Sequence, residues 1–328
     1  MTPRRLLTLT LAMIVLLVPA ASLGADGDRS DRSTTFAGID GLLYNLAPSV
    51  VPGVGEMKFY GPDFDLACGY GADLATGLRN LSKLARIIER SGRRVVFTAF
   101  PNKSTALSRQ IDPANLPHGL CDQVGLRAQR KLLDDYRDPA YLALPRRLER
   151  ADDRQIFWNT DLHWTPLGAS IFTKALAGKL DPRLGNRQRY GPGRTITGLG
   201  GLNALLHIPE QETVPTAIVK DGIRITPRQV PVGHYYDHSW RSRPVQRTWP
   251  GRTVIVGDSM MSVAMATLRP IFAHGRFMWL QHVPTKSIVR AIKKSDTVVF
   301  GSIQLFLPVV ELGTEQFRSQ VKHALRRP

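Results

Sequence analysis

The chain is poor in cysteine: Cys68 and Cys121 are the only two among 328 residues. That excludes a small disulfide-stapled fold, and their spacing matches no zinc signature. Acidic side chains are also scarce, with 27 Asp and Glu against 44 Lys and Arg and a formal net charge of +17. No stretch repeats. Beyond the N-terminal segment, long apolar runs are missing as well. The best later candidate, Leu305 to Leu312, is too short to cross a bilayer and contains Pro308 and Glu311.

What is present begins with an export pattern. Met1 to Arg5 ends in two arginines. Leu6 to Ala21 is apolar apart from Thr8, Thr10 and Pro19, mostly small residues follow to Ala25, and charge begins at Asp26. Residues 1–25 therefore read as a secretory signal or an uncleaved N-terminal anchor, and 26–35 as a flexible polar leader. An exported, extracytoplasmic location permits a Cys68–Cys121 disulfide; the alternative is two unpaired buried thiols. Export also argues against nucleic acid as the partner of the basic charge. A polyanionic glycan or an anionic membrane surface fits better, and plain solubility is the blander explanation.

The remaining length supports one large domain over 36–328. Ala47 to Gly61 reads as loop. Ala72 to Arg90 carries Leu74, Leu78, Leu81, Ala85 and Ile88 at helical spacing. Gly92 then stops that helix, Arg94 to Phe100 is a β-branched and aromatic run, and Pro101 to Thr105 follows as a loop. This order is the αβ unit of a parallel sheet, whose sites gather beyond the strand C-termini. Gln123 to Asp135 is a second helix, and Tyr141 to Arg150 a third, broken or kinked by Pro145. Gln155 to Trp158 reads as a short strand, and Leu180 to Gly201 as irregular. A segment at about 210–250 reads as an inserted β-rich element. Arg252 to Val256 is a buried strand with a helix after it from Met260.

Two segments carry the chemistry. Asp161-Leu162-His163-Trp164-Thr165-Pro166 places a carboxylate and an imidazole just before a helix that Thr165 caps and Pro166 begins. Gly257-Asp258-Ser259 places a hydroxyl where a strand turns into a helix. A serine is a weak nucleophile without a base; His163 is the base, and Asp161 fixes its tautomer. Helix N-terminal amides stabilise a developing oxyanion. The blander readings are that Asp258 or Asp161 caps a helix and that His163 is a satisfied surface histidine. A metal is not expected. Asp161 and His163 lack a third ligand, and His234 and His238 with Asp237 sit in what reads as a surface loop.

The string from Asp161 to Ala169 resembles the signature of the alginate O-acetyltransferase (AlgX/AlgJ-like) family, relatives of the SGNH/GDSL hydrolases. The chain order Asp161, His163, Ser259 resembles that family, whereas ordinary GDSL esterases place serine first. Val95 to Phe97 leading to Pro101-Asn102-Lys103, and Gly38 to Tyr44, resemble softer family elements. The resemblance implies an SGNH-like three-layer α/β/α fold with a central, mainly parallel sheet. It implies an O-acetyltransferase that passes an acetyl group through Ser259 to a cell-envelope or secreted polysaccharide, using no cofactor. A polytopic membrane O-acyltransferase is the implied acetyl donor. The Ser259 amide is the expected oxyanion donor, with Asn102 or Lys103 as helper, and Trp164 is a cleft wall or a core residue. The alternatives are a carbohydrate O-acetylesterase with the same three residues and a non-catalytic glycan-binding envelope protein.

Overall fold

Three near-continuous buried runs build the centre of the molecule. The computed structural model describes residues 47–69, 73–151, 155–219, 225–226, 236–242 and 248–326. Residues 1–46, which include the expected export segment, the expected leader and Gly38–Tyr44, lie outside the described residues.

The strands in chain order are β1 (Val50–Pro52), β2 (Lys58–Tyr60), β3 (Arg94–Phe100), β4 (Tyr190–Leu199), β5 (Gln211–Val219), β6 (Ile225–Thr226), β7 (Asp237–Ser242), β8 (Trp249–Gly257), β9 (Phe272–Trp279) and β10 (Thr297–Ile303). Six of them form one sheet in the order β3-β10-β8-β9-β7-β6. β3, β10, β8 and β9 run parallel, while β7 and β6 close one edge antiparallel. β10 is buried at every position and β3 at all but Arg94, as expected of strands covered on both faces. The β3 edge is also covered: Phe97 donates to the Ala140 carbonyl at 2.9 Å and accepts from the Leu142 amide at 2.8 Å.

Alternate residues of these strands feed two cores. Val96, Phe100, Ile255 and Val299 point into one, which holds the helices Pro166–Leu180 and Ser259–Leu268. Val95, Phe97, Val254, Val256, Val298 and Phe300 point into the other, beneath the helices Leu74–Glu89, Thr285–Lys293 and Glu315–Arg326. The result is the three-layer α/β/α arrangement expected from the sequence. Among the described residues no helix is long and apolar enough to cross a membrane.

Several local expectations change. Ala47 to Gly61 is not all loop but contains the β1–β2 hairpin. Pro101 to Thr105 is partly helical over Lys103–Ala106. The Arg- and Gly-rich stretch after Leu180 forms the helix Pro182–Arg187 and then β4. The region at 210–250 is not one inserted unit: β5 pairs with β4, while β7 pairs with β9 in the main sheet. Cys68 and Cys121 form a disulfide, with Cα atoms 5.5 Å apart. Cys121 lies at the surface, so the alternative of two buried thiols does not hold.

Candidate active site

Ser259 is delivered by the turn after β8. Asp258 caps the helix Ser259–Leu268 by accepting the Met260 amide at 3.0 Å, so Ser259 is the first helical residue. The other Asp258 oxygen accepts from Ser302 Oγ at 3.0 Å and from the Ile303 amide at 2.6 Å, at the end of β10. Burial pushes the Asp258 carboxyl above its ordinary range, and these three hydrogen bonds only partly offset that. Gly257 makes the turn feasible: a Cβ there would lie 2.5 Å from the Met261 Cβ. The Ser259 amide donates to no group among the described residues.

Asp161 and His163 sit on a narrow loop closed at its base. The Trp158 amide donates to the His163 carbonyl at 3.2 Å, and the Thr165 amide to the Ile156 carbonyl at 2.9 Å. The expected strand at Gln155–Trp158 is reduced to a single bridge between Phe157 and Trp164. Thr165 caps the next helix by accepting the Gly168 amide at 3.2 Å, with Pro166 at the first position. That part is as the sequence predicts.

The two segments meet. His163 Nε2 lies 2.7 Å from Ser259 Oγ, and His163 Nδ1 lies 2.6 Å from Asp161 Oδ1. Asp161 Oδ1 also accepts the His163 amide at 2.8 Å, and Oδ2 accepts the Gly201 amide at 2.5 Å. The His163 side chain keeps 26% of its surface exposed, so the site is open on one side. Burial works against the Asp161 carboxylate, but the His163 charge and the hydrogen bonds from His163 and Gly201 outweigh it and hold the pKa at about 2. Burial likewise disfavours the His163 imidazolium. The charge and hydrogen bond of Asp161, with the more distant charge of Asp258, reverse that and raise the ring above its ordinary 6.5.

Lys103 is not where the sequence reading put it. Its side chain is buried, and Nζ donates toward the carbonyls of Lys58 at 2.7 Å, Trp158 at 2.6 Å, Asn159 at 2.8 Å and Asp161 at 3.1 Å. An ammonium has three N–H groups, so these carbonyls absorb its donor capacity and none is left for an oxyanion or a glycan. Burial pulls its pKa down to about 7 against the charges of Asp161, Glu212 and Asp63.

Trp164 is a core residue rather than a cleft wall. It is fully buried, stacks on Phe172 and donates from Nε1 to the Met260 carbonyl at 2.9 Å. Asn102 is buried at the end of β3, where Oδ1 accepts the Leu305 amide at 3.0 Å and Nδ2 has no partner among the described residues.

Three further residues escaped the sequence reading. Glu212 on β5 accepts from the Asn159 and Thr160 amides at 2.8 and 2.9 Å and from Thr160 Oγ1 at 2.9 Å. Gly201 supplies the amide to Asp161. A Cβ on Gly200 would lie 2.1 Å from the Thr160 carbonyl oxygen, so only glycine lets these backbones touch. The available signal was the glycine-rich string Gly198-Leu199-Gly200-Gly201. Among the described residues no group of three metal-binding side chains occurs. His238 lies on β7 against the Arg269 guanidinium, while His234 is outside the described residues.

This fold, with serine, histidine and aspartate side chains aligned at the C-terminal ends of its parallel strands, defines an SGNH-hydrolase-like protein. A model of the family described as "SGNH hydrolase-like domain, acetyltransferase AlgX" matches residues 59–226, and the chain belongs to that family. Ser259 lies beyond the matched span. The probable alginate O-acetylase AlgJ of Pseudomonas putida is 26% identical over 152 residues, covering 44% of this chain and 37% of that protein. The match thus spans little more than a third of the relative's length. PatB1 of Bacillus cereus shares the fold, with a TM-score of 0.55 at 12% identity, over 81% of this chain and 99% of that one. The same protein with a sulfonyl adduct gives 0.53 at 12% identity, over 78% and 97%. Family membership assigns the chain to acyl-transfer or esterase chemistry in general.

Proposed function

We propose that the protein is an exported serine O-acetyltransferase acting on a cell-envelope or secreted polysaccharide. The observation that carries this is the continuous line from Asp161 through His163 to Ser259, with contacts of 2.6 and 2.7 Å. Neutral His163 takes the Ser259 proton at Nε2 as Oγ attacks the donor's acetyl carbonyl. The tetrahedral oxyanion is met by the Ser259 amide at the helix N-terminus, with Asn102 Nδ2 as the second donor. Collapse expels the donor's leaving group, which takes the proton back from His163, and leaves acetyl-Ser259. A sugar hydroxyl then gives its proton to His163 and attacks the acetyl carbonyl, and the proton returns to Ser259 as the ester departs on the sugar. Asp161 holds the imidazolium in each half-reaction. A polytopic membrane O-acyltransferase is the proposed donor partner, since acetyl-CoA is not expected outside the cytoplasm.

The openness of the His163 side to solvent favours one second reading, in which water replaces the sugar and the protein is an acetylesterase. Partition of product between acetate and acetylated oligosaccharide separates the two. For either, Ser259→Ala abolishes acetyl release from a chromogenic ester with the fold intact, and a sulfonyl fluoride labels Ser259. Full activity in that variant would overturn the proposal.

A further inference from the structure

The Ser259 turn has a strand end on either side, and the two differ in kind. On the β10 side stand the bonds from Ser302 and Ile303 to Asp258. The Asp161–His163 loop is tied to that side as well, because Lys103, which holds its carbonyls, follows β3 beyond β10. On the β9 side stand three aromatic rings. Trp279 ends β9 as the register partner of Gly257 at the end of β8, one strand spacing of about 5 Å away. The Leu280 amide donates to the Gly257 carbonyl at 2.8 Å. The chain then turns at once, with the His282 and Val283 amides both donating to the Trp279 carbonyl, at 3.1 and 3.0 Å. Tyr236, just before β7, accepts the Trp279 amide at its carbonyl at 2.7 Å.

These bonds gather the three side chains. The His282 imidazole lies over the Tyr236 ring, with centroids 3.8 Å apart and planes at 21°. Trp279 stands nearly perpendicular to both, its centroid 5.4 Å from each. Trp279 packs against the core that holds the Ser259 helix and Tyr236 against the core on the opposite face, so the group wraps the end of the sheet. Every other ring pair among the described residues contains a buried ring; here Tyr236 and Trp279 are half-buried and His282 is exposed. The His282 side chain makes no hydrogen bond and no ion pair among the described residues. Partial burial lowers its pKa below the ordinary 6.5, so the ring is uncharged at neutral pH.

An uncharged flat ring with nitrogens at its rim has a definite complement. An anion calls for a charged group, and an alkyl chain for an apolar pocket without a polar edge. A sugar ring has an apolar C–H face and a rim of hydroxyls, which matches both parts of the imidazole. We propose that His282, stacked on Tyr236 and buttressed by Trp279, is a platform for one sugar ring of the polysaccharide, beside the unit whose hydroxyl meets acetyl-Ser259. That the occupant belongs to the acceptor rests on the function proposed above. His282 is a binding residue here and moves no proton in the reaction.

The test is calorimetric binding of three hexasaccharides, of mannuronate, N-acetylglucosamine and glucose, to the full chain carrying Ser259→Ala, so that no turnover intrudes. At least one is expected to bind. Adding His282→Ala is expected to weaken that binding about tenfold with the thermal midpoint unchanged, since the ring is exposed, and His282→Phe is expected to restore it. In the protein with Ser259 intact, His282→Ala should raise the KM for the same hexasaccharide and shift product toward acetate. Absence of binding by all three, or equal binding with and without His282→Ala, overturns the platform. Equal loss in His282→Ala and His282→Phe assigns the ring a hydrogen-bonding role and overturns stacking. Failure of acetyl transfer to any of the three overturns the transferase reading alone, because an esterase must also hold its polymer and the binding measurement still decides.

Discussion

Ser259 and the Asp161–His163 pair meet at one point but are held there by different forces. Ser259 stands on the core: a buried parallel strand, a glycine turn and a helix capped by Asp258 fix it. Asp161 and His163 stand on a loop whose backbone is gripped by polar side chains from far along the chain. Lys103 gathers three of its carbonyls, Glu212 takes two of its amides, and Gly201 supplies an amide to Asp161. The serine half is set by shape and burial. The histidine half is set by buried hydrogen bonds, each costly to leave unmade. Asp258 apart, which bonds the serine turn to the end of β10, a change of polarity without change of shape should therefore spare the first half and damage the second.

The largest effect is expected at the carboxylate itself. Asp161→Asn keeps the shape but places an amide against the imidazole, stabilising the wrong tautomer. By analogy with other serine triads, kcat is expected to fall by about 10⁴ with stability little changed. The pH profile sharpens the reading. The proposed mechanism requires neutral His163, whose pKa is raised above 6.5 chiefly by Asp161 against burial. In the unaltered protein kcat/KM should rise with pH through that elevated value and then level off. In Asp161→Asn the midpoint should move to lower pH. An unshifted midpoint would show that Asp161 does not face the catalytic ring.

Lys103→Met is next. The substitution leaves the Trp158, Asn159 and Asp161 carbonyls without their donor beneath the loop. Hydrogen bonds to a charged group are worth about 1.5–3 kcal/mol each, so a stability loss on the order of 3 kcal/mol is expected in urea unfolding. Activity should fall by about 10², because a displacement of roughly 1 Å in a reacting group costs that much. Ser259 should lose its sulfonyl reactivity in proportion, although Lys103 touches neither the serine nor a substrate. Lys103→Arg should not rescue the loss, since a planar guanidinium cannot replace a point donor enclosed by carbonyls.

The same contrast explains what the sequence disclosed. β3, β8 and the Pro166–Leu180 helix were legible because their residues are apolar at the period of the element they form. Thr165 and Pro166 announce a helix start by local chemistry. The meeting of Asp161, His163 and Ser259 was foreseeable because the proposed chemistry needs three residue types and the Asp161 string is a distinctive one. The polar grip was not. Lys103 reads as an oxyanion helper until the fold buries it under the loop, and Glu212 pairs with amides more than 50 residues away in sequence. No local pattern encodes such a partnership. Trp164 was ambiguous for a related reason: an aromatic beside a catalytic loop suits a cleft wall and a core equally, and only packing against Phe100 and Phe172 decides.

Glu212→Gln tests the far side of the loop with a smaller change. Gln keeps one carbonyl oxygen for Asn159, but its NH₂ then faces the Thr160 amide, a donor against a donor. About 1–2 kcal/mol of stability and roughly tenfold in kcat are expected to be lost. A double-mutant cycle with Lys103→Met should show coupling, because both side chains act on the one segment from Trp158 to Asp161.

The smallest effect belongs to the bond that joins the two halves. Trp164 Nε1 donates to the Met260 carbonyl, so the histidine loop is tied directly to the first turn of the serine helix. Trp164→Phe removes that tie and a little volume but keeps an aromatic ring against Phe172. The Met260 carbonyl can still accept within its own helix, so no buried acceptor is orphaned. The loss should be close to one ordinary hydrogen bond, about 1 kcal/mol in stability. If the core positions the serine helix and the polar grip positions the loop, as the contacts imply, kcat should change by less than about fivefold, since each half keeps its own support. A collapse of activity comparable to that of Lys103→Met would mean that the two halves are not separately supported. This single link would then set the 2.7 Å contact between His163 and Ser259.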